Sequence, residues 1–289
     1  MNVQSLSVVV PNNNCINNCK FCVSHMHPEN YKNQMDDNLP FFDLYLKDYL
    51  KRLDFAQRNG CNTVMLTGNS EPQQNRKFLT YFGLFMQLMK HPFDWIEMQT
   101  TGALLDNNYL RFLRNHVGVN IISLSVSSFD QFQNQEIISC PVQINLKELC
   151  ENIKKYDFTL RLSLNLSDAF NDYSPEELFS TCYEEFLADQ VTLRVLYSNS
   201  NDTPQSKWVS QHAMNSDKIE EINSFIKTYG TVLGKLPYGA TKYSYNDMSI
   251  VLDDDCMGKR NDNDAYKYLI LRPDCKLYSS WDDKASLIF

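Results

Sequence analysis

Residues 6–22 read Leu-Ser-Val-Val-Val-Pro-Asn-Asn-Asn-Cys-Ile-Asn-Asn-Cys-Lys-Phe-Cys. The run Leu6–Val10 is short, apolar and β-branched, which predicts a buried strand. The segment then delivers Cys15, Cys19 and Cys22 in a C-x3-C-x2-C spacing. Three thiolates this close can converge on one soft metal centre, either zinc or an iron–sulfur cluster. A cubane cluster normally takes four cysteines, and no fourth lies nearby, so three ligands would leave one iron open. A zinc site would instead be completed by His25 or His27.

Outward from this segment the chain alternates. Strands are predicted at Leu6–Val10, Asn62–Thr67, Trp95–Thr101, Asn120–Ser127, Thr159–Leu166 and Val191–Tyr197. Between them run amphipathic stripes at spacings of three and four, such as Leu46, Tyr49, Leu50 and Leu53, and later Ile219, Ile222, Ile226 and Tyr229. Turn chemistry such as Asn59-Gly60 and Tyr229-Gly230 follows the helices. Six strand–helix units in alternation imply a parallel sheet with right-handed crossovers. Six are too few for a complete eightfold barrel, so the fold class is α/β, an incomplete (βα)6 TIM-like barrel. Its chemistry belongs at the C-terminal ends of the strands. The alternation fails near Lys235, where Thr241–Leu252 and Tyr266–Tyr278 read as strands. Residues 1–234 are therefore expected to form the barrel, and 235–289 a β-rich extension capping it.

The 289 residues are 43% hydrophobic, enough for a large core, which excludes a disordered chain. Nine cysteines, an odd number with three in eight residues, do not read as a disulfide framework. The N-terminal apolar run is too short for a signal peptide, and no stretch approaches the length of a membrane span. A cytoplasmic location with reduced thiols is expected. The net charge of −8 disfavours general nucleic-acid binding.

The cysteine spacing, the aromatic Phe21 before the last cysteine, and their place after strand one resemble the radical S-adenosylmethionine (radical SAM) superfamily. The resemblance implies that Cys15, Cys19 and Cys22 hold one [4Fe–4S] cluster whose fourth iron is chelated by S-adenosylmethionine. It implies reductive cleavage of that cofactor to methionine and a 5′-deoxyadenosyl radical, which abstracts hydrogen from a substrate. It also implies a barrel of six units, in agreement with the alternation. Gly68-Asn69-Ser70-Glu71-Pro72 resembles the family's glycine-rich G-x-G-E-P segment, whose backbone and acid receive the cofactor's amino group; Ser70 stands where the family usually has glycine. Strand four places Ser123, Ser125 and Ser127 on one face, and strand five places Arg161, Ser163 and Asn165 on one face. Buried polar rows need partners. By the resemblance, Ser125, Arg161 and Asn165 contact the ribose and carboxylate, and Phe21 packs on the adenine. Thr100-Thr101-Gly102 resembles the family's turn after strand three.

Arg194 on strand six is a candidate for an anionic substrate, with pairing to Glu97 or another barrel acid as the alternative. Arg272, Tyr278 and Trp281 in the extension are candidate substrate contacts. Only Cys256 and Cys275 lie beyond Cys182, without a C-x2-C hook, so a second cluster is not expected. The resemblance implies an electron donor such as flavodoxin or ferredoxin. The expected substrate is a small molecule or nucleotide. Peptide or tRNA modification, activation of a glycyl-radical partner, and a non-enzymatic zinc-binding module are the alternatives.

Overall fold

The computed structural model describes residues 2–27, 45–199, 201–258 and 265–289. Eleven strands form a single sheet in the order β11-β10-β1-β2-β3-β4-β5-β6-β9-β8-β7. The six core strands are β1 (Asn2–Val9), β2 (Thr63–Thr67), β3 (Trp95–Thr100), β4 (Ile121–Val126), β5 (Thr159–Leu166) and β6 (Gln190–Val195). Each pairs in parallel with its neighbour. The sheet is open, as an incomplete barrel requires.

The crossovers carry helices α1 (Leu46–Arg58), α2 (Arg76–Leu88), α3 (Asn107–Phe112), α4 (Gln131–Ile138), α5 (Leu146–Lys155), α6 (Pro175–Ser180), α7 (Pro204–His212) and α8 (Ser216–Tyr229). Their starts are written in capping residues. Asn75, Asp106, Asp130, Asn145 and Thr203 each accept a backbone amide at the head of a helix. Ser174 and Glu177 form a reciprocal capping box before α6. The apolar sides of these helices meet the outer face of the sheet in one core, with Leu6, Leu66, Met98, Leu124, Leu162, Leu164, Phe82 and Phe179 almost wholly buried.

The C-terminal strands join both edges of this sheet. β7 (Thr231–Lys235), β8 (Thr241–Tyr245) and β9 (Met248–Asp253) form an antiparallel meander, and β9 lies parallel to β6. β10 (Ala265–Leu271) lies parallel to β1, with β11 (Leu277–Tyr278) antiparallel beyond it. The stretch 241–252, expected as one strand, turns back at Asn246-Asp247, both at positive φ (47° and 57°). That is the tight hairpin turn whose twist suits paired strands. The parallel set thus runs β10-β1-β2-β3-β4-β5-β6-β9, eight strands with a seam between β9 and β10. Among the described residues no helix is long and apolar enough to cross a membrane.

Candidate active site

The parallel pairing sends the C-terminal ends of β1 to β6 to one rim, and the cysteine loop follows the first of them. The loop is pinned by its neighbours. The Asn18 and Lys20 amides donate to the Ile138 and Ile137 carbonyls at the end of α4, and the Ile16 amide donates to Gln74 Oε1 at 2.8 Å. All nine cysteines are free. Burial pushes the Cys19 thiol well above its usual range, and Cys22, Cys15 and Glu71 add to the effect. Cys15 is raised chiefly by burial, with contributions from Glu71 and Cys22. The three sulfurs therefore share one electrostatic neighbourhood with one carboxylate. Among the described residues no three His, Cys, Asp or Glu side chains gather round a single ion-sized point. A cubane, which places each thiolate on a different iron, asks for wider spacing than one ion does.

Glu71 is the centre of the arrangement. It is buried, and its Oε2 accepts from the Thr101 amide (3.1 Å), Thr101 Oγ1 (2.9 Å) and Asn17 Nδ2 (3.2 Å). Its Oε1 is buried with no hydrogen-bond partner among the described residues. Burial raises its pKa, against the neighbouring polar groups of Thr100, Thr101 and Asn17, which lower it. A buried carboxylate oxygen without a partner is costly unless a ligand supplies a donor. An ammonium beside the cysteine loop meets that need, so the residues present fit a cofactor that chelates an iron–sulfur cluster through an amino acid group.

The segment around Glu71 is laced in place. Asn12 Nδ2 donates to Ser70 Oγ (2.8 Å) and the Glu71 carbonyl (3.2 Å). Gln73 bonds Thr100 Oγ1 through Nε2 and accepts the Leu104 amide at 3.0 Å. Gly68 has φ of 150°, and a Cβ there would lie 3.3 Å from Val9 Cγ1 and 3.4 Å from the Val10 amide nitrogen. Glycine lets this turn lie against the end of β1.

The other expected positions divide into groups. Asn165 Nδ2 donates to Ser125 Oγ (2.9 Å) and Ser127 Oγ (3.0 Å), forming a polar cluster at the rim. Phe21 packs near Trp208, ring centroids 6.2 Å apart. Arg161 lies four residues before Asn165 on β5, about 13 Å along the strand, and its guanidinium is taken by Glu97 and Gln190. The structure does not bring it to the cysteine loop. Arg194 instead donates Nε to Ser163 Oγ at 2.6 Å and reaches Asp253 at 3.5 Å. Arg272 donates to the Ser280 and Trp281 carbonyls and lies over the Tyr278 ring, so it braces its own loop. Trp281 lines a cavity of about 190 Å³ together with Ser7, Gly68, Asn69, Gln99, Arg194 and Cys256. Of the remaining cysteines, Cys61 and Cys150 are core thiols that burial pushes up to about 12.

Asn17, Gln73 and Asn12 are missed by the sequence reading, and Thr101 enters it only as part of the Thr100-Thr101-Gly102 turn, with no role. Asn17 lies between two cysteines, and its place inside the motif was the signal available.

A family model described as the Radical SAM superfamily matches residues 9–178. No curated protein sequence matches the chain. Among solved structures, native anSMEcpe with bound AdoMet aligns with a TM-score of 0.62 at 13% identity, covering 98% of this chain and 75% of that one. SuiB from Streptococcus suis aligns with a TM-score of 0.52 at 16% identity over 79% of this chain. The chain spans less than half of SuiB, 47% of its length. At these identities the structural likeness speaks for a common fold.

Proposed function

The chain belongs to the radical SAM superfamily, matched over more than half its length, and we propose that it is an enzyme that cleaves S-adenosylmethionine reductively and turns the resulting radical on a small molecule or nucleotide held within the barrel. The observation that carries this reading is Glu71, a buried carboxylate with one unpartnered oxygen beside three cysteines.

Cys15, Cys19 and Cys22 would hold the [4Fe–4S] cluster, which when bound supplies the electron that splits the sulfonium to methionine and a 5′-deoxyadenosyl radical. Glu71 Oε1 accepts the cofactor's ammonium, while Asn17 and Thr101 keep the other oxygen occupied and so fix the carboxylate's orientation. Gly68 and Asn69 bring backbone to the rim. Asn165 and Ser125 present hydroxyl and amide groups suited to a ribose, and Phe21 offers an aromatic face to the adenine. Flavodoxin or ferredoxin in a reducing cytoplasm is the electron donor suited to this chemistry.

The test is anaerobic. The reconstituted, reduced protein should bind about four irons per chain and convert S-adenosylmethionine to 5′-deoxyadenosine. A colourless protein loaded with zinc, inert toward S-adenosylmethionine, would overturn the reading.

A further inference from the structure

The barrel interior holds two cavities that share Arg194. One, about 190 Å³, opens at the rim between Gly68, Asn69, His27 and Trp281; the other, about 220 Å³, lies deeper among Glu97, Arg161, Asp253 and Lys267. Among the described residues four cations line this interior, Arg161, Arg194, Lys242 and Lys267, with two carboxylates, Glu97 and Asp253, among them; of the four, Arg194 alone reaches both cavities. Two of the cations are fully matched. Arg161 is bonded to Glu97, whose side chain is 1% exposed, and Lys267 sits 2.6 Å from Asp253. Arg194 shares that same Asp253 at 3.5 Å and spends its Nε on a neutral serine. Asp254 and Asp255 follow in the chain but line neither cavity.

The side chain of Arg194 keeps 24% of its surface accessible although it lies inside the barrel. Asp253 and, at longer range, Glu97 outweigh its burial and keep the guanidinium charged, and its accessible surface faces both cavities. Its planar fork matches a carboxylate or phosphate through two parallel hydrogen bonds. On the rim side, Ser7 Oγ lines the same cavity, fully buried and without a partner among the described residues.

Resting on the reading of an S-adenosylmethionine-cleaving enzyme, we propose that the substrate is a small anion whose carboxylate or phosphate docks on Arg194, with Ser7 Oγ as a further hydrogen-bonding group in the rim cavity. The anionic group would anchor the substrate from below and leave its remaining carbons under the rim, where Gly68 and Asn69 face the cofactor.

The experiment uses the anaerobically reconstituted holoprotein with S-adenosylmethionine present, and reads thermal unfolding against inorganic phosphate, acetate and chloride at matched ionic strength. Phosphate or acetate should raise Tm saturably where chloride does not, and which of the two does so identifies the group. In Arg194→Gln the apparent affinity for the effective anion should fall at least tenfold; Arg194→Lys, which keeps the charge and loses the fork, should fall between. The proposal is overturned if neither anion exceeds chloride, or if either variant binds the anion as the wild type does. It is also overturned if the anion competes with S-adenosylmethionine, which would place Arg194 in the cofactor pocket. Failure of the parent reading shows separately, as absent S-adenosylmethionine cleavage by the wild type.

Discussion

Lys267 on β10 and Asp253 at the end of β9 meet at 2.6 Å across the seam where the eight parallel strands do not pair. Both side chains are almost wholly buried, 2% and 5% exposed, and the Tyr238 ring lies 4.6 Å from the ammonium. Lys267 also donates to the Asp255 carbonyl. The last strands of the chain are thus tied to each other by side chains rather than by a backbone ladder. The tie is polar and faces a cavity, so the region that shapes the substrate space and the region that holds the barrel edges together are the same few residues.

Removing one partner of this pair is expected to be expensive. Asp253→Asn leaves the Lys267 ammonium buried without its counter-charge, a loss of about 3–5 kcal/mol in comparable buried pairs. Denaturant unfolding at pH 7 measures it. The pH dependence has a definite sign. Burial alone would raise the Asp253 pKa, but Arg194 and Lys267 outweigh it and hold the carboxyl below its ordinary 3.8. Its stabilisation is therefore complete above the unfolded value near pH 4. It disappears as pH falls through the lower folded value. The wild type should lose stability more steeply than Asp253→Asn below about pH 4; parallel acid profiles would contradict this.

Cys19 is the most electrostatically enclosed of the three motif cysteines, with both others and Glu71 acting on it. Cys19→Ala should lose the cluster, its visible absorption and all formation of 5′-deoxyadenosine. Iron analysis and product chromatography on the same sample check this. Substitution of Cys61, a thiol in the core, should leave the iron content at the wild-type level.

Glu71→Gln preserves shape and removes charge. Charged hydrogen bonds carry about 1.5–3 kcal/mol, so S-adenosylmethionine should bind about tenfold to a hundredfold more weakly. The cluster should remain, since Glu71 contacts the cysteine loop without being one of its three thiols. Equilibrium dialysis of the cofactor and iron content, read together, separate a binding loss from a loss of the cluster. Unchanged cofactor affinity would remove Glu71 from the ammonium site.

What the sequence conveyed and what it withheld follow from the range of the interactions involved. The six core strands are local β-branched runs, and β5 at Thr159–Leu166 matches its expected bounds. The cysteine motif and Glu71 lie on short segments whose residue types carry their own chemistry. Asn17, by contrast, does its work through Thr101, 84 positions away, and nothing local marks that bond. Arg161 shares a strand face with Asn165, but period-two spacing says nothing of depth, and it is the depth that puts it beside Glu97. The attachment of β10 to β1 spans most of the chain, that of β9 to β6 joins Gln190 to Ser249, 59 positions on, and both are invisible to windowed patterns. Asn246-Asp247, read as strand interior, carried the hairpin signal in its residue types.

Gly83 gives a test of packing in which two effects oppose each other. It lies inside α2, where alanine is the better helix former by about 1 kcal/mol. If only propensity mattered, Gly83→Ala would stabilise. A Cβ at this position, however, would lie 2.0 Å from the His116 carbonyl oxygen and 3.1 Å from the Val117 Cα, where the segment after α3 crosses the helix. These are backbone atoms, which cannot rotate away, so relief requires α2 to move as a body. Overpacking of this kind costs about 1–3 kcal/mol, enough to reverse the propensity gain. The head of α2 also holds the rim, since Asn75 caps the helix, donates to the Pro11 carbonyl, and follows Glu71 by four residues. Gly83→Ala should therefore lower Tm by several degrees and weaken S-adenosylmethionine binding, with the cluster still present. A higher Tm with unaltered cofactor affinity would show that α2 does not press on the residues before Val117 as the structure places it.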